Sequence, residues 1–239
     1  MTISAAAVVI GEDIATPSAN ISSVTKTVAA GSYLHCAWTW DVGGDPNISS
    51  VDSSPALTWT KLDTIFDTVH TQKLEHWVSS VTSAGSITVS AHWVSPVQFR
   101  GSALTEIIGS SGYDSAAAAH NAQWQALPTT GTDSTSSLAT PTLTSQPALI
   151  SGFCSKSSGA VSNPAAGTGF TDGGAMWQAA ANGGRAESKR VTATTGVAAT
   201  YTAGLNNDHL TAVAVFLEAA SGGGNAPTFP LPLSSGRRW

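Results

Sequence analysis

Between Ser86 and Trp93 the chain alternates without a break, with Ile87, Val89, Ala91 and Trp93 on one parity and Ser86, Thr88, Ser90 and His92 on the other. In extended backbone, successive side chains point to opposite faces. The pattern therefore predicts a strand with one buried and one wet face. Comparable runs recur at 5–10, 22–28, 33–41, 57–62, 73–81, 99–108, 148–155, 175–180, 185–192, 198–205 and 210–218. Helix-period stretches are scarce, and only the alanine-rich segment 116–127 reads as a short helix. About a dozen strands in one chain of 239 residues predict an all-β fold of two packed antiparallel sheets, a sandwich or jelly roll. The segment 210–217 is apolar on both parities, which predicts a central strand covered on both sides. The Ser/Thr/Pro-rich segment 129–146 predicts a crossing loop plus an edge strand, and no internal repeat of fixed period is visible.

Only 10% of residues are charged, and the formal net charge is −5. With no basic stripe to neutralise phosphates, nucleic acid is an unsuitable partner. No apolar run approaches membrane-spanning length. The short apolar run at 1–10 lacks a basic leader before it and meets Gly11, Glu12 and Asp13 at once, so no targeting segment is expected. Cys36 and Cys154 lie in strand-like text and are expected to be buried free thiols, as suits a reducing cytoplasm, with a disulfide as the alternative.

After Glu218 the text changes. Gly222, Gly223 and Gly224 form a hinge, and Phe229, Leu231 and Leu233 then alternate with Pro230 and Pro232 before Arg237, Arg238 and Trp239. This divides the chain into a β-sandwich domain at 1–219 and an extended Gly/Pro-rich arm at 220–239. Proline fixes an extended backbone and lowers the entropy lost on docking. Phe229, Leu231, Leu233 and Trp239 are the expected apolar anchors, with Arg237 and Arg238 facing carboxylates on a partner.

Signals for catalysis are weak. Glu106 sits in an apolar strand, but hydrolysis of a glycosidic bond needs a close pair of carboxylates. Glu75, Glu106, Glu187 and Glu218 are each alone on their strands, so structural roles are expected. The six histidines never fall at ligand spacing, and the Asn206, Asp208, His209 turn is expected to be solvated. No nucleophile elbow or phosphate loop is present. No metal, cofactor or reaction is expected. Of the eight tryptophans, Trp38 and Trp93 have core parity. Trp77 shares parity with Lys73 and Glu75 and is expected to be exposed, and Trp124 and Trp177 fall in loop-like text. These three are the candidates for stacking on sugar.

A family resemblance rests on a cadence of strands and turns. It runs through Leu57-Thr-Trp-Thr-Lys-Leu, Lys73-Leu-Glu-His-Trp-Val, Gly85-Ser-Ile-Thr-Val-Ser and Ala103-Leu-Thr-Glu-Ile-Ile. It continues through Gln146-Pro-Ala-Leu-Ile-Ser-Gly-Phe, Gly167-Thr-Gly-Phe-Thr, Glu187-Ser-Lys-Arg-Val and Leu210-Thr-Ala-Val-Ala-Val-Phe. Over residues 22–219 the chain resembles the concanavalin-like jelly-roll modules of phage structural genes and bacterial surface proteins. The resemblance implies a non-enzymatic virion protein assembled in the host cytoplasm. The expectation is a head decoration, head-fibre or tail component, homo-oligomeric, with other capsid or tail proteins as partners. The alternative is a receptor-recognition module that binds host surface polysaccharide.

Overall fold

The computed structural model describes residues 2–13, 21–41, 47–67, 72–114, 122–125, 133–139, 147–157, 164–179, 182–192, 198–204 and 208–220. Among these the fold is all-β, and every pairing is antiparallel. The first half contains β1 (Ser4–Ala5), β2 (Val9–Asp13), β3 (Ile21–Val28), β4 (Tyr33–Asp41), β5 (Ile48–Ser54), β6 (Thr60–Asp67), β7 (Gln72–Ser80), β8 (Gly85–Trp93) and β9 (Gln98–Ile108). An inner sheet runs β1-β9-β4-β7-β6, with β2 also on β9, and an outer sheet runs β3-β8-β5.

The second half contains β10 (Ser110–Tyr113), β11 (Ala122–Gln125), β12 (Asp133–Ala139), β13 (Ala148–Ser157), β14 (Ala165–Ala166), β15 (Thr171–Ala179), β16 (Asn182–Val191), β17 (Ala198–Gly204) and β18 (Asp208–Glu218). Its inner sheet runs β10-β18-β13-β16-β15, with β11 also on β18, and its outer sheet runs β12-β17-β14. Adding nine to each strand of the first half reproduces the second half's pairings one by one. One nine-stranded sandwich occurs twice, so there are four sheets where two were expected. The repeat lies in strand order and is invisible in the residues.

The four sheets stack outer, inner, inner, outer. Trp38, Trp93, Ile87, Val89 and Leu104 fill the gap between the first outer and inner sheets. Ile150, Cys154, Tyr201, Val213 and Val215 fill the corresponding gap in the second half. The two inner sheets meet along a seam packed by Ala37, Leu74, Ala103, Phe153 and Ala212, and further along by Val78, Ile107, Leu149 and Phe216. Inner strands are thus covered on both faces, which requires apolar residues on both parities. Residues 210–216 of β18 are all buried, as expected from their composition. Cys36 and Cys154 are free and buried in different outer cores, with the inner sheets between them.

The halves are joined by one residue. β9 ends at Ile108 and β10 begins at Ser110. Gly109 turns between the two inner sheets at φ +78°, and a Cβ there would meet the Thr2 carbonyl oxygen at 3.1 Å. Only glycine fits that turn without strain.

Two hydrogen bonds across the seam define how the halves are related. His35 Nδ1 meets Ser151 Oγ at 2.9 Å, Thr39 Oγ1 meets Ser155 Oγ at 2.7 Å, and both pairs are 116 residues apart. The ladders give the same correspondence, because Tyr33 pairs with Ile107 as Leu149 pairs with Phe216. Matching residues therefore touch each other along β4 and β13. This is the signature of a twofold axis in the seam parallel to those strands, the arrangement of an isologous dimer within one chain.

Three local expectations change. In the segment 116–127 the described part is not helix but the strand β11, paired along β18. There the ladder hydrogen bonds and the neighbouring inner strands outweigh alanine's helix preference. β5 was missed, since its sequence Ile48-Ser-Ser-Val-Asp-Ser-Ser has only two apolar residues. The edge strand expected within 129–146 is β12.

Candidate functional site

The first sandwich concentrates its aromatic rings. Trp93 lies edge-on to Trp38 and Trp40, with centroids 6.2 and 5.6 Å away, and the Arg100 guanidinium lies 5.8 Å from the Trp93 ring. Trp38, Trp40 and Arg100 are fully buried. This cluster is core, as the parity of Trp38 and Trp93 predicts.

The candidate sugar-stacking tryptophans are not brought together. Trp77 is half-buried against the first core, with Lys61 Nζ 5.7 Å from its ring. Parity with Lys73 and Glu75 misleads here, because both of those residues are themselves buried. Trp124 pairs with Leu210 in β11 and Trp177 with Gly184 in β15, so both lie in strands rather than loops. Those strands form opposite edges of the second inner sheet. Phe229, Leu231, Leu233, Arg237, Arg238 and Trp239 lie outside the described residues, as do the side chains of Trp124, Trp177, Asp208 and His209.

Each described glutamate on an inner strand has structural partners. Glu106 Oε1 accepts the Ala29 N–H at 2.6 Å, and Glu187 Oε2 accepts the Gly167 N–H at 2.8 Å. Arg190 Nε donates to Glu218 Oε2 at 2.7 Å. Glu75 is fully buried, with Lys61 Nζ at 3.8 Å from Oε1. Burial pushes its carboxyl pKa up, partly offset by Lys61. No two of these carboxylates share a strand, and no cluster of three metal-ligating side chains occurs among the described residues.

The polar centre of the molecule lies in the seam, and sequence reasoning missed it. His35, fully buried, uses both ring nitrogens: Nδ1 meets Ser151 Oγ, and Nε2 meets His76 Nδ1 at 3.1 Å. Phe153 and Phe216 pack against the same imidazole at 4.5 and 5.7 Å. Burial, reinforced by His76, holds the His35 pKa well below the usual histidine value. Four residues further along, Thr39 and Gln72 Nε2 both meet Ser155 Oγ. His35 and His76 are 41 positions apart on different strands, so no spacing in the sequence marks them.

Strand order also gives the molecule two poles. At one pole lie the start of β4, the Gly109 crossover, Thr2, Ile3 and the end of β18, where the Ala219 N–H donates to the Gly109 carbonyl at 2.8 Å. A cleft of about 260 Å³ opens there, lined by Ala29, Gly31, Ser32, Ile108, Gly109 and Ala219. At the other pole, the end where Asp41 pairs with Gln72 and Gln98, stand Ile21, Phe66 and Val94, the exposed large apolar side chains among the described residues. No protein-family model matches the chain, and neither the curated proteins nor the solved structures include a match.

Proposed function

We propose that the chain is a non-enzymatic structural protein of a phage particle, a head decoration, head-fibre or tail component, seated on its neighbours through the arm at 220–239. The observation that carries this reading is polarity. The start of the described chain, the single-residue crossover and the end of β18 converge on one pole, opposite the apolar tips Ile21, Phe66 and Val94. A body tethered at one end and presenting the other suits a component that projects from a particle. The described glutamates are compatible with the same reading, since Glu106 and Glu187 accept from backbone amides and Glu218 accepts from Arg190.

The test is incorporation into particles with residues 222–239 deleted. That deletion removes no described strand, so the sandwich pair should remain folded while incorporation falls sharply. Phe229, Leu231, Leu233 and Trp239 would bury a few hundred Å², worth roughly several kcal/mol before ordering costs. Incorporation equal to that of the full chain would overturn docking through the arm.

A further inference from the structure

We propose that the seam is an exchangeable interface between copies of this chain. Two copies trade sandwiches, the first half of each seated on the second half of the other, with Gly109 as the hinge. Among the described strands no ladder crosses between the halves. Both sheets of the first half are built from β1–β9, and both sheets of the second from β10–β18. Each half also fills an outer core of its own. What holds the halves together is the seam and a covalent joint one residue long, between Ile108 and Ser110.

The seam itself is indifferent to which chain supplies its two sides. His35 on Ser151 and Thr39 on Ser155 are contacts of the isologous kind, between matching positions. The apolar packing of Ala37, Leu74 and Ala103 against Phe153 and Ala212 forms equally well with a second copy. A swapped dimer therefore repeats both seams, and it differs from two closed monomers at the hinge. Opening the hinge gives up the bond from the Ala219 N–H to the Gly109 carbonyl. A tethered half is also at a higher effective concentration than a half on another molecule. With glycine at 109 the seam accordingly closes within one chain, and exchange needs an opened seam and concentrated chain.

Residue 109 sets the balance. In the closed turn its φ is +78°, and a Cβ would meet the Thr2 carbonyl oxygen at 3.1 Å and the Ile3 Cα at 3.3 Å. A short hinge under strain favours swapping, because the open hinge takes ordinary extended backbone. A β-branched residue there is penalised in the left-handed region by roughly tenfold in population. A dimer relieves two such hinges, so its formation constant rises by about 100-fold.

The experiment mixes two full-length chains in urea, one carrying Thr39→Cys and the other Ser155→Cys. They are refolded together over a range of concentrations, oxidised and digested without reductant. A peptide pair joined through positions 39 and 155 then arises only between copies. The expected yield is low in dilute chain and rises with concentration. Placing Gly109→Val in both chains should raise it at every concentration, with a dimer in light scattering. A flexible Gly/Ser insertion after residue 109 relieves the strain and should return the Gly109→Val chains to monomer. Should Gly109→Val not fold, the concentration series with the native hinge decides. No 39–155 product at any concentration would overturn the exchange, as would a folded Gly109→Val chain that stays monomeric or a dimer that lacks the 39–155 joint.

Discussion

The two sandwiches share one strand order and fill it differently. Where β4 points Trp38 into the first outer core, the matching position on β13 points Cys154 into the second. In the seam the balance reverses, with Ala37 on the first half and Phe153 at the matching position on the other. A ladder of backbone hydrogen bonds fixes where residues stand, while close packing constrains only the summed volume across each gap. Large and small side chains can therefore trade places between halves without disturbing the topology.

That comparison can be broken by substitution. The largest effect is expected for Trp93→Ala, which empties the contact shared by Trp38, Trp40 and Arg100 and should cost about 3–5 kcal/mol in urea unfolding. Among the described residues the second core has no comparable ring cluster, and its bulkiest member there is Tyr201, buried with a hydroxyl that has no hydrogen-bond partner among them. Tyr201→Phe should accordingly stabilise the chain, by about 1 kcal/mol, since it removes an unpaid desolvation. A loss of stability there would reveal a partner for that hydroxyl.

A smaller effect is expected at Glu75, which has no counterpart in the second half, where Arg185 stands at the matching position of β16. Its folded-state pKa is raised by burial, so the folded state holds the proton more tightly than the unfolded chain. Stability is then lost as pH rises from the ordinary glutamate value of about 4.3 through the raised folded-state value. Glu75→Gln should raise the melting temperature at pH 7, and the gain should vanish near pH 4. A gain independent of pH would assign the effect to packing instead.

Much of the fold was legible because period-2 alternation is a local property. β3, β4, β7, β8 and β9 announce themselves through residues two apart, and β18 through a run that is apolar on both parities. β5, with its serines, and β11, with alanine before it, owe their state to the sheets they join. The duplication was not legible, because matched positions such as Trp38 and Cys154, or His35 and Ser151, share a place and not a chemistry. For the same reason the seam cluster escaped notice, since His35, His76 and Ser151 come from three strands and meet only once both sandwiches are folded.

The central claim is that β4 lies on β13 with matching residues in contact. The most direct measurement is a cross-link between them. Thr39 and Ser155 place their hydroxyl oxygens 2.7 Å apart across the seam, while the native Cys36 and Cys154 face away into separate outer cores. A Thr39→Cys/Ser155→Cys variant, oxidised and digested without reductant, should yield a peptide pair joined through positions 39 and 155 within one chain. Recovery of both positions as free thiols, or joined only between chains, would contradict the face-to-face arrangement of the two sandwiches.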